Sequence, residues 1–193
     1  MNQPRNNKNE SGFALLITLV VVSVILAIGL SLLFVTTRQY LLAVTANESE
    51  KAFQAANLGL ECMRWHRAQP TTLAALLREG TNQPPSLSCA GVNPNTPPGS
   101  QTSTLYSQNN QFFYKYWYSY TTSLGQCIET SIYIADVRNA ASNFTRTISG
   151  EGLASINCTA GTFCTAIFSR GYNRPCNQLD SIFTIQREIT IEY

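Results

Sequence analysis

The feature that most constrains this chain is an uncharged apolar run of 23 residues at positions 13–35. A helix rises about 1.5 Å per residue, so this run can cross the roughly 30 Å hydrocarbon core of a bilayer. Its length and composition predict a membrane-spanning helix near the N-terminus. The residues that follow position 35 are then expected to lie on one side of the membrane.

The twelve residues before the run, MNQPRNNKNESG, indicate how the segment is processed. A secretory signal peptide has an apolar core of about 7–15 residues, followed by a small-residue cleavage site. Here the run is longer, no such site follows it, and the small residue Gly12 precedes it. Cleavage after Gly12 removes the basic leader and keeps the apolar helix, with Phe13 as its first residue.

This arrangement resembles the class III leader of type IV prepilins and type II secretion pseudopilins. The resemblance is carried by the basic leader, Gly12, the aromatic Phe13, the apolar helix and the amphipathic helix that continues it. It implies that a prepilin peptidase cleaves between Gly12 and Phe13 and methylates the new amine of Phe13. Major pilins usually carry Glu at the fifth position after the cut, and here that position is Ile17. The departure resembles certain minor pilins and the tip pseudopilin of type II secretion systems.

Two later stretches, KAFQAANLGLECMRWHR at 51–67 and the closing residues REITIEY, also resemble minor pilin-like chains. The resemblance implies a minor pilin-like structural subunit of a type IV pilus or a related secretion or uptake filament, in an initiating or tip position. Its implied partners are other pilins or pseudopilins, the prepilin peptidase, the inner-membrane assembly platform and membrane lipid. The alternative is a singly membrane-anchored exported binding domain that does not polymerise.

Basic residues and cysteines agree on the expected orientation. Arg5 and Lys8 favour a cytoplasmic N-terminus, against a single opposing charge at Arg38. All six cysteines follow the apolar run, and an even number in an exported domain is typical of disulfides. We therefore expect a single-pass protein of the bacterial inner membrane, with its C-terminal domain outside the cytoplasm, that then enters a cell-surface or periplasmic filament.

The disulfide candidates are Cys62, Cys89, Cys127, Cys158, Cys164 and Cys176. Fifteen pairings are possible and the sequence does not choose among them, although Cys158 and Cys164 are close enough for a small-loop bridge. Zinc is the alternative use of these side chains. It is not favoured, because no C-x-x-C pair occurs and the single histidine, His66, is expected at the surface near a helix end. No metal or cofactor is expected.

The chain is expected to have five parts: a prepilin leader at 1–12, the transmembrane half of a long helix at 13–35, its amphipathic half at 36–68, a variable Pro-rich loop region at 69–111, and an antiparallel sheet head with disulfides at 112–193. Within the loop region, residues 71–78 predict a short helix that Gly80 can end. The long helix is expected to stop before Pro70, which cannot continue it.

An apolar stripe on the amphipathic half is expected to pack on the chain's own sheet. The stripe comprises Phe53, Ala56, Leu60 and Met63, at helical spacing. Ala55, Ala56 and Gly59 also leave a thin helix face that another segment can approach closely.

Four runs in the second half predict strands, at 112–120, 128–135, 162–170 and 182–193. Glycine-containing turns separate them, including one predicted at 171–175. Short successive strands with such turns favour an antiparallel sheet. A sheet laid on one long helix predicts an α+β fold with a pilin-like architecture.

Catalysis and nucleic-acid binding find little support. None of the G-x-S-x-G, H-E-x-x-H or Walker patterns occurs, and Asp136 and Asp180 stand alone, so an enzyme is not expected. The aromatic run at 112–120 could stack on bases, but it carries one lysine, Lys115, and the net charge is only +2. We expect these rings to cover the helix instead.

Overall fold

The computed structural model describes residues 10–77, 87–89, 100–148 and 155–193, with side chains described from Phe13 onward and, in the first strand, from Tyr106. Arg5, Lys8, Gly80 and most of the Pro-rich segment lie outside the described residues. The chain divides into two compact units, Met1–Ala46 and Asn47–Tyr193.

The described residues of the first unit belong to helix α1, which begins at Glu10 and continues into the second unit, where it ends at Ala68. Every side chain from Phe13 to Ala46 is exposed. The helix ends where Gln69 takes an extended conformation before Pro70, the first residue of the short helix α2, Pro70–Leu76. The residue before a proline is restricted in this way, and this restriction fixes the end of α1.

The second unit is built on a five-stranded antiparallel sheet of order β1-β2-β3-β6-β7, and a separate hairpin is formed by β4 and β5. The strands are β1 Ser100–Gln108, β2 Gln111–Thr121, β3 Cys127–Asp136, β4 Phe144–Thr147, β5 Ser155–Cys158, β6 Phe163–Tyr172 and β7 Gln186–Glu192. Residues 47–68 of α1 pack on one face of this sheet, so the α+β fold is confirmed.

The core between helix and sheet is rich in tyrosine. Tyr114, Tyr116, Tyr118 and Tyr120 alternate along β2 and are buried against the helix. They meet Leu60 and Met63 from α1 and isoleucines from β3 and β6. Alternation along β2 therefore places its aromatic face inward, as the sequence predicts.

A second core lies on the other face of the sheet and was not expected from the sequence. Phe113, Tyr133 and Phe168 point away from α1 and pack with Phe144 and Ile156 of the β4–β5 hairpin. The hairpin strands have only four residues each and expose polar side chains. Strands this short carry too little alternation to be recognised in a sequence.

Three predicted boundaries are wrong. Residues 100–108 are not an irregular loop but strand β1, which pairs with β2 through a mostly polar sequence, SQTSTLYSQ. The predicted turn at 171–175 begins two residues too early, because Gly171 and Tyr172 complete β6. The last strand begins at Gln186, and Ile182 and Phe183 are exposed in the preceding loop.

Candidate functional site

The candidate site is the surface of α1, because the chain leaves most of that surface uncovered. Among residues 13–35, every side chain is exposed and none is charged. Within the described part of the chain, one helix, Phe13–Ala68, is long and apolar enough to cross a membrane by length and composition. Exposed aliphatic surface of this extent is unfavourable in water, so another apolar phase must cover it.

The few hydroxyl groups in this segment are bonded to the helix itself. The Thr18 hydroxyl donates to the Leu15 carbonyl at 2.9 Å, and the Ser23 hydroxyl donates to the Val20 carbonyl at 2.8 Å. Thr36 donates to Leu33 in the same way. A hydroxyl that is satisfied within its own turn can enter a medium without water at little cost.

The proposed cleavage junction lies in the first turns of the described helix. Gly12 and Phe13 both fall within α1, and the Phe13 side chain is 69% exposed. Four residues further on, the aliphatic side chain of Ile17 is also exposed.

Residues 47–68 of α1 have an inner face that contacts the sheet and an outer face that does not. The inner face comprises Ala52, Ala55, Ala56, Gly59, Leu60, Met63 and His66, all buried. Phe53 is 48% exposed, so the predicted stripe is wrong at that position. Phe53, Leu58 and Trp65 are exposed apolar side chains on the side of the helix away from the sheet, and we call these three residues the outer face. They lie among exposed polar side chains, including the Arg64–Glu61 ion pair and the Gln54–Glu50 hydrogen bond.

The inner face of the helix is lined by small residues because the backbones of α1 and the sheet approach each other closely there. A Cβ placed on Gly171 of β6 would collide with the backbone of Ala52 and Ala56, and one placed on Gly59 would collide with Ser169 and Ile128. The expected thin helix face is thus confirmed, and it receives the chain's own sheet. Large side chains such as Phe53 are directed outward by the same close contact.

Polar contacts join the start of this helical segment to the residue that follows β6 and to β7. Glu48 pairs with Lys51 at 2.6 Å and accepts a hydrogen bond from Asn173 at 2.9 Å. Arg187 donates to the Ser49 hydroxyl at 2.6 and 2.8 Å. The hydrogen bond from Lys51, followed by that from Asn173, lowers the pKa of Glu48 below its ordinary value.

The tyrosines of β2 are unavailable for stacking on bases. Tyr116 is fully buried and donates to the Leu76 carbonyl at 2.7 Å. Burial raises the pKa of Tyr118 and raises that of Tyr120 to about 12, because it disfavours the phenolate. The Lys115 ammonium lies 5.1 Å from the centre of the Tyr133 ring. The tyrosine face of β2 is therefore part of the core between the helix and the sheet.

All six cysteines form disulfides: Cys62–Cys89, Cys127–Cys176 and Cys158–Cys164. The first joins α1 to residues 87–89, the second joins β3 to the turn after β6, and the third is the expected small-loop bridge. Three cross-links in the second unit suit an oxidising compartment.

His66 does not stand apart at the surface, and that prediction is wrong. The side chain is buried, and its Nε2 lies 3.1 Å from the Ser88 carbonyl oxygen, next to Cys89. Cys62 lies one helical turn before it, so both residues face the same segment. The i, i+4 spacing of Cys62 and His66 is the sequence signal that could have indicated this cluster.

Comparisons with protein-family models, with curated proteins and with solved structures give no match for this chain. The fold itself has a pilin-like architecture, in which a long apolar N-terminal helix continues into a segment packed on an antiparallel sheet. The apolar helix fits single-pass membrane anchoring by its length and composition.

Proposed function

We propose that this chain is a minor pilin-like structural subunit of a type IV pilus or a related secretion or uptake filament. Its mechanism is transfer of the apolar helix from the bilayer into contact with the helices of other pilins or pseudopilins. The observation that carries the proposal is the exposure of every side chain at 13–46 on a helix whose later segment is packed on a folded domain. Such a helix can exchange lipid for protein while the second unit stays folded.

The outer face supports the same proposal. Phe53 and Trp65 are 48% and 59% exposed although they flank a helix face that is fully buried. Large exposed aromatic residues are enriched at protein interfaces, where they supply much of the binding energy. In a filament these side chains would be covered by a neighbouring subunit.

Ile17 supports an initiating or tip position. The carboxylate usual at this position in major pilins is usually taken to pair with the terminal amine of a neighbouring subunit. An aliphatic side chain there forms no such pair, and the adjacent Thr18 hydroxyl is bonded within its own helix. A subunit at the start or tip of a filament has no subunit above it to satisfy.

The proposed route begins in the bacterial inner membrane, with the disulfide-bonded second unit outside the cytoplasm. Prepilin peptidase removes residues 1–12, and the assembly platform then transfers the subunit into a filament. The alternative is a singly anchored exported binding domain that keeps its leader and does not polymerise.

Mass spectrometry of the N-terminal peptide tests the processing step. When the chain is co-expressed with a prepilin peptidase, we expect a mature chain that begins at N-methylated Phe13. Gly12→Leu should abolish cleavage, because the peptidase must approach the backbone closely at a residue without a side chain. Gly29→Leu is the matched control, since a Cβ there meets no atom within 4 Å. Retention of Met1 in the parent chain would support the alternative.

A further inference from the structure

The cluster formed by Cys62, His66 and Cys89 carries an inference independent of filament assembly. One ligand atom from each of the three residues can be chosen so that all three atoms lie within 4.8 Å of one another. Cys62 and His66 come from successive turns of α1, and Cys89 comes from the segment 87–89. Two sulfurs and an imidazole nitrogen at this spacing are a donor set typical of zinc.

The surroundings of His66 resemble those of a metal-binding histidine. Its Nε2 lies 3.1 Å from the carbonyl oxygen of Ser88 and 3.3 Å from the Ser88 amide nitrogen. In the tautomer protonated at Nε2, the ring donates to that carbonyl, which is a usual partner for the ring nitrogen that does not bind the metal. Its Nδ1 is buried without a hydrogen-bond partner. A buried unsatisfied nitrogen is costly, so the disulfide form leaves a polar atom that a ligand could satisfy.

We propose that the thiol form of the chain binds Zn²⁺ through Cys62, His66 and Cys89. The ion displaces one proton from each thiol, so two thiols and Zn²⁺ give a bis-thiolate site and two released protons. The imidazole is the third ligand, and solvent supplies the fourth. Cys62 is half-buried whereas Cys89 and His66 are buried, so the ion enters on the Cys62 side.

Only a small rearrangement separates the two forms. Zinc–sulfur bonds of about 2.3 Å at tetrahedral angles place two thiolates about 3.8 Å apart. The Cα atoms of Cys62 and Cys89 are 5.7 Å apart, so side-chain rotation can separate the sulfurs without moving the helix far. The same two sulfurs cannot form the disulfide and serve as thiolates, so metal binding and cross-linking exclude each other.

The site therefore acts before oxidation. A newly exported chain holds thiols, and Zn²⁺ would join the end of α1 to residues 87–89 until a disulfide exchange protein oxidises them. In that exchange the two zinc-bound thiolates lose two electrons to the partner's disulfide, which takes up two protons from water and leaves as two thiols. The zinc ion is released as the Cys62–Cys89 bond forms.

Cobalt titration of the full chain in detergent, kept reduced with a phosphine, tests the site. We expect one Co²⁺ per chain with the intense visible absorption of a tetrahedral thiolate complex, displaced by Zn²⁺. His66→Ala should weaken binding about tenfold or more. The double variant C158A/C164A is the matched control, because it removes two other thiols and should bind as the parent does. An octahedral spectrum, or equal affinity in the H66A variant, would overturn the proposal.

Alkylation mapping by mass spectrometry keeps the test decisive if reduction loosens the second unit. With Zn²⁺ present, Cys62 and Cys89 should be protected from a maleimide, whereas Cys158 and Cys164 should react as they do without metal. Equal labelling of Cys62 and Cys89 with and without Zn²⁺ would contradict the proposal. Protection that persists in the H66A variant would remove His66 from the ligand set.

Discussion

Gly171 of β6 lies directly against the backbone of α1 at Ala52. A Cβ on this glycine would collide with the Ala52 carbonyl oxygen and with the Ala56 amide nitrogen. The helix therefore meets the sheet by backbone contact at this point, and the side chains of Ala52 and Ala56 are fully buried beside it. Packing of the helix on the sheet therefore requires a residue without a side chain at position 171.

Gly171→Ala should lower the free energy of unfolding of the second unit by about 1–3 kcal/mol, because neither backbone can give way without moving the whole segment. Gly161→Ala is the comparison variant. Its added methyl group meets no atom within 4 Å, and only its φ of +82° opposes the change, at about 1 kcal/mol. Guanidinium unfolding followed by near-ultraviolet circular dichroism measures both. The close contact predicts the larger loss for Gly171→Ala, and a loss no greater than that of Gly161→Ala would contradict it.

Met63→Ala and Phe53→Ala should differ in their effect on stability, because Met63 lies on the inner face of the helix and Phe53 on the outer face. Met63 is 1% exposed, so its truncation should cost about 2–5 kcal/mol of stability. Phe53 is 48% exposed, so its truncation should change stability by less than about 0.5 kcal/mol while it reduces recovery of the chain in sheared filaments. A large loss of stability in the F53A variant would instead show that Phe53 is part of the core.

The sequence predicts the parts of the fold that have a regular pattern of large apolar residues. Alternation predicted β2 and β3 because their inward residues are large and apolar. The predicted helix stripe is wrong at Phe53, because the buried helix face is lined by small residues and a pattern of large apolar residues does not identify it. The polar strand β1 and the short hairpin strands carry no such alternation. The predicted surface position of His66 is wrong because the segment that buries it, at Ser88, lies 22 residues away in the sequence.

The stability of the second unit should fall in acid through Glu48. Its pKa is lowered in the folded chain, so its contribution is present above the pKa of the unfolded state and is lost as the pH falls through the folded value. The pair is partly exposed, so the effect should stay below about 1 kcal/mol. Glu48→Gln should flatten stability against pH below about 4.5, measured by unfolding at several pH values.

Lys51→Met provides the control for that prediction. It removes the hydrogen bond that most lowers the pKa of Glu48, so it should flatten the acid dependence in part. The double variant E48Q/K51M should add little to E48Q alone, because the two residues share one interaction. Additive effects would show that the pair is not coupled.

The disulfides should differ in their contribution to stability according to the loops they close. Cys127–Cys176 spans 49 residues and Cys158–Cys164 spans 6. Loop entropy then predicts losses of about 4 and about 2 kcal/mol, respectively, when both cysteines of a pair become alanine. Thermal unfolding of the two double variants, each compared with the parent, measures the order. A greater loss for C158A/C164A would contradict it.

Photo-crosslinking from position 17 tests most directly whether the apolar helix exchanges lipid for protein. A crosslinking side chain in place of Ile17, in cells with active prepilin peptidase and assembly machinery, should capture other pilins or pseudopilins, and these products should disappear when the peptidase is inactive. Thr145, exposed on β4, is the control position and should give no such machinery-dependent product. Capture of lipid alone at position 17 while the machinery assembles filaments would contradict the account.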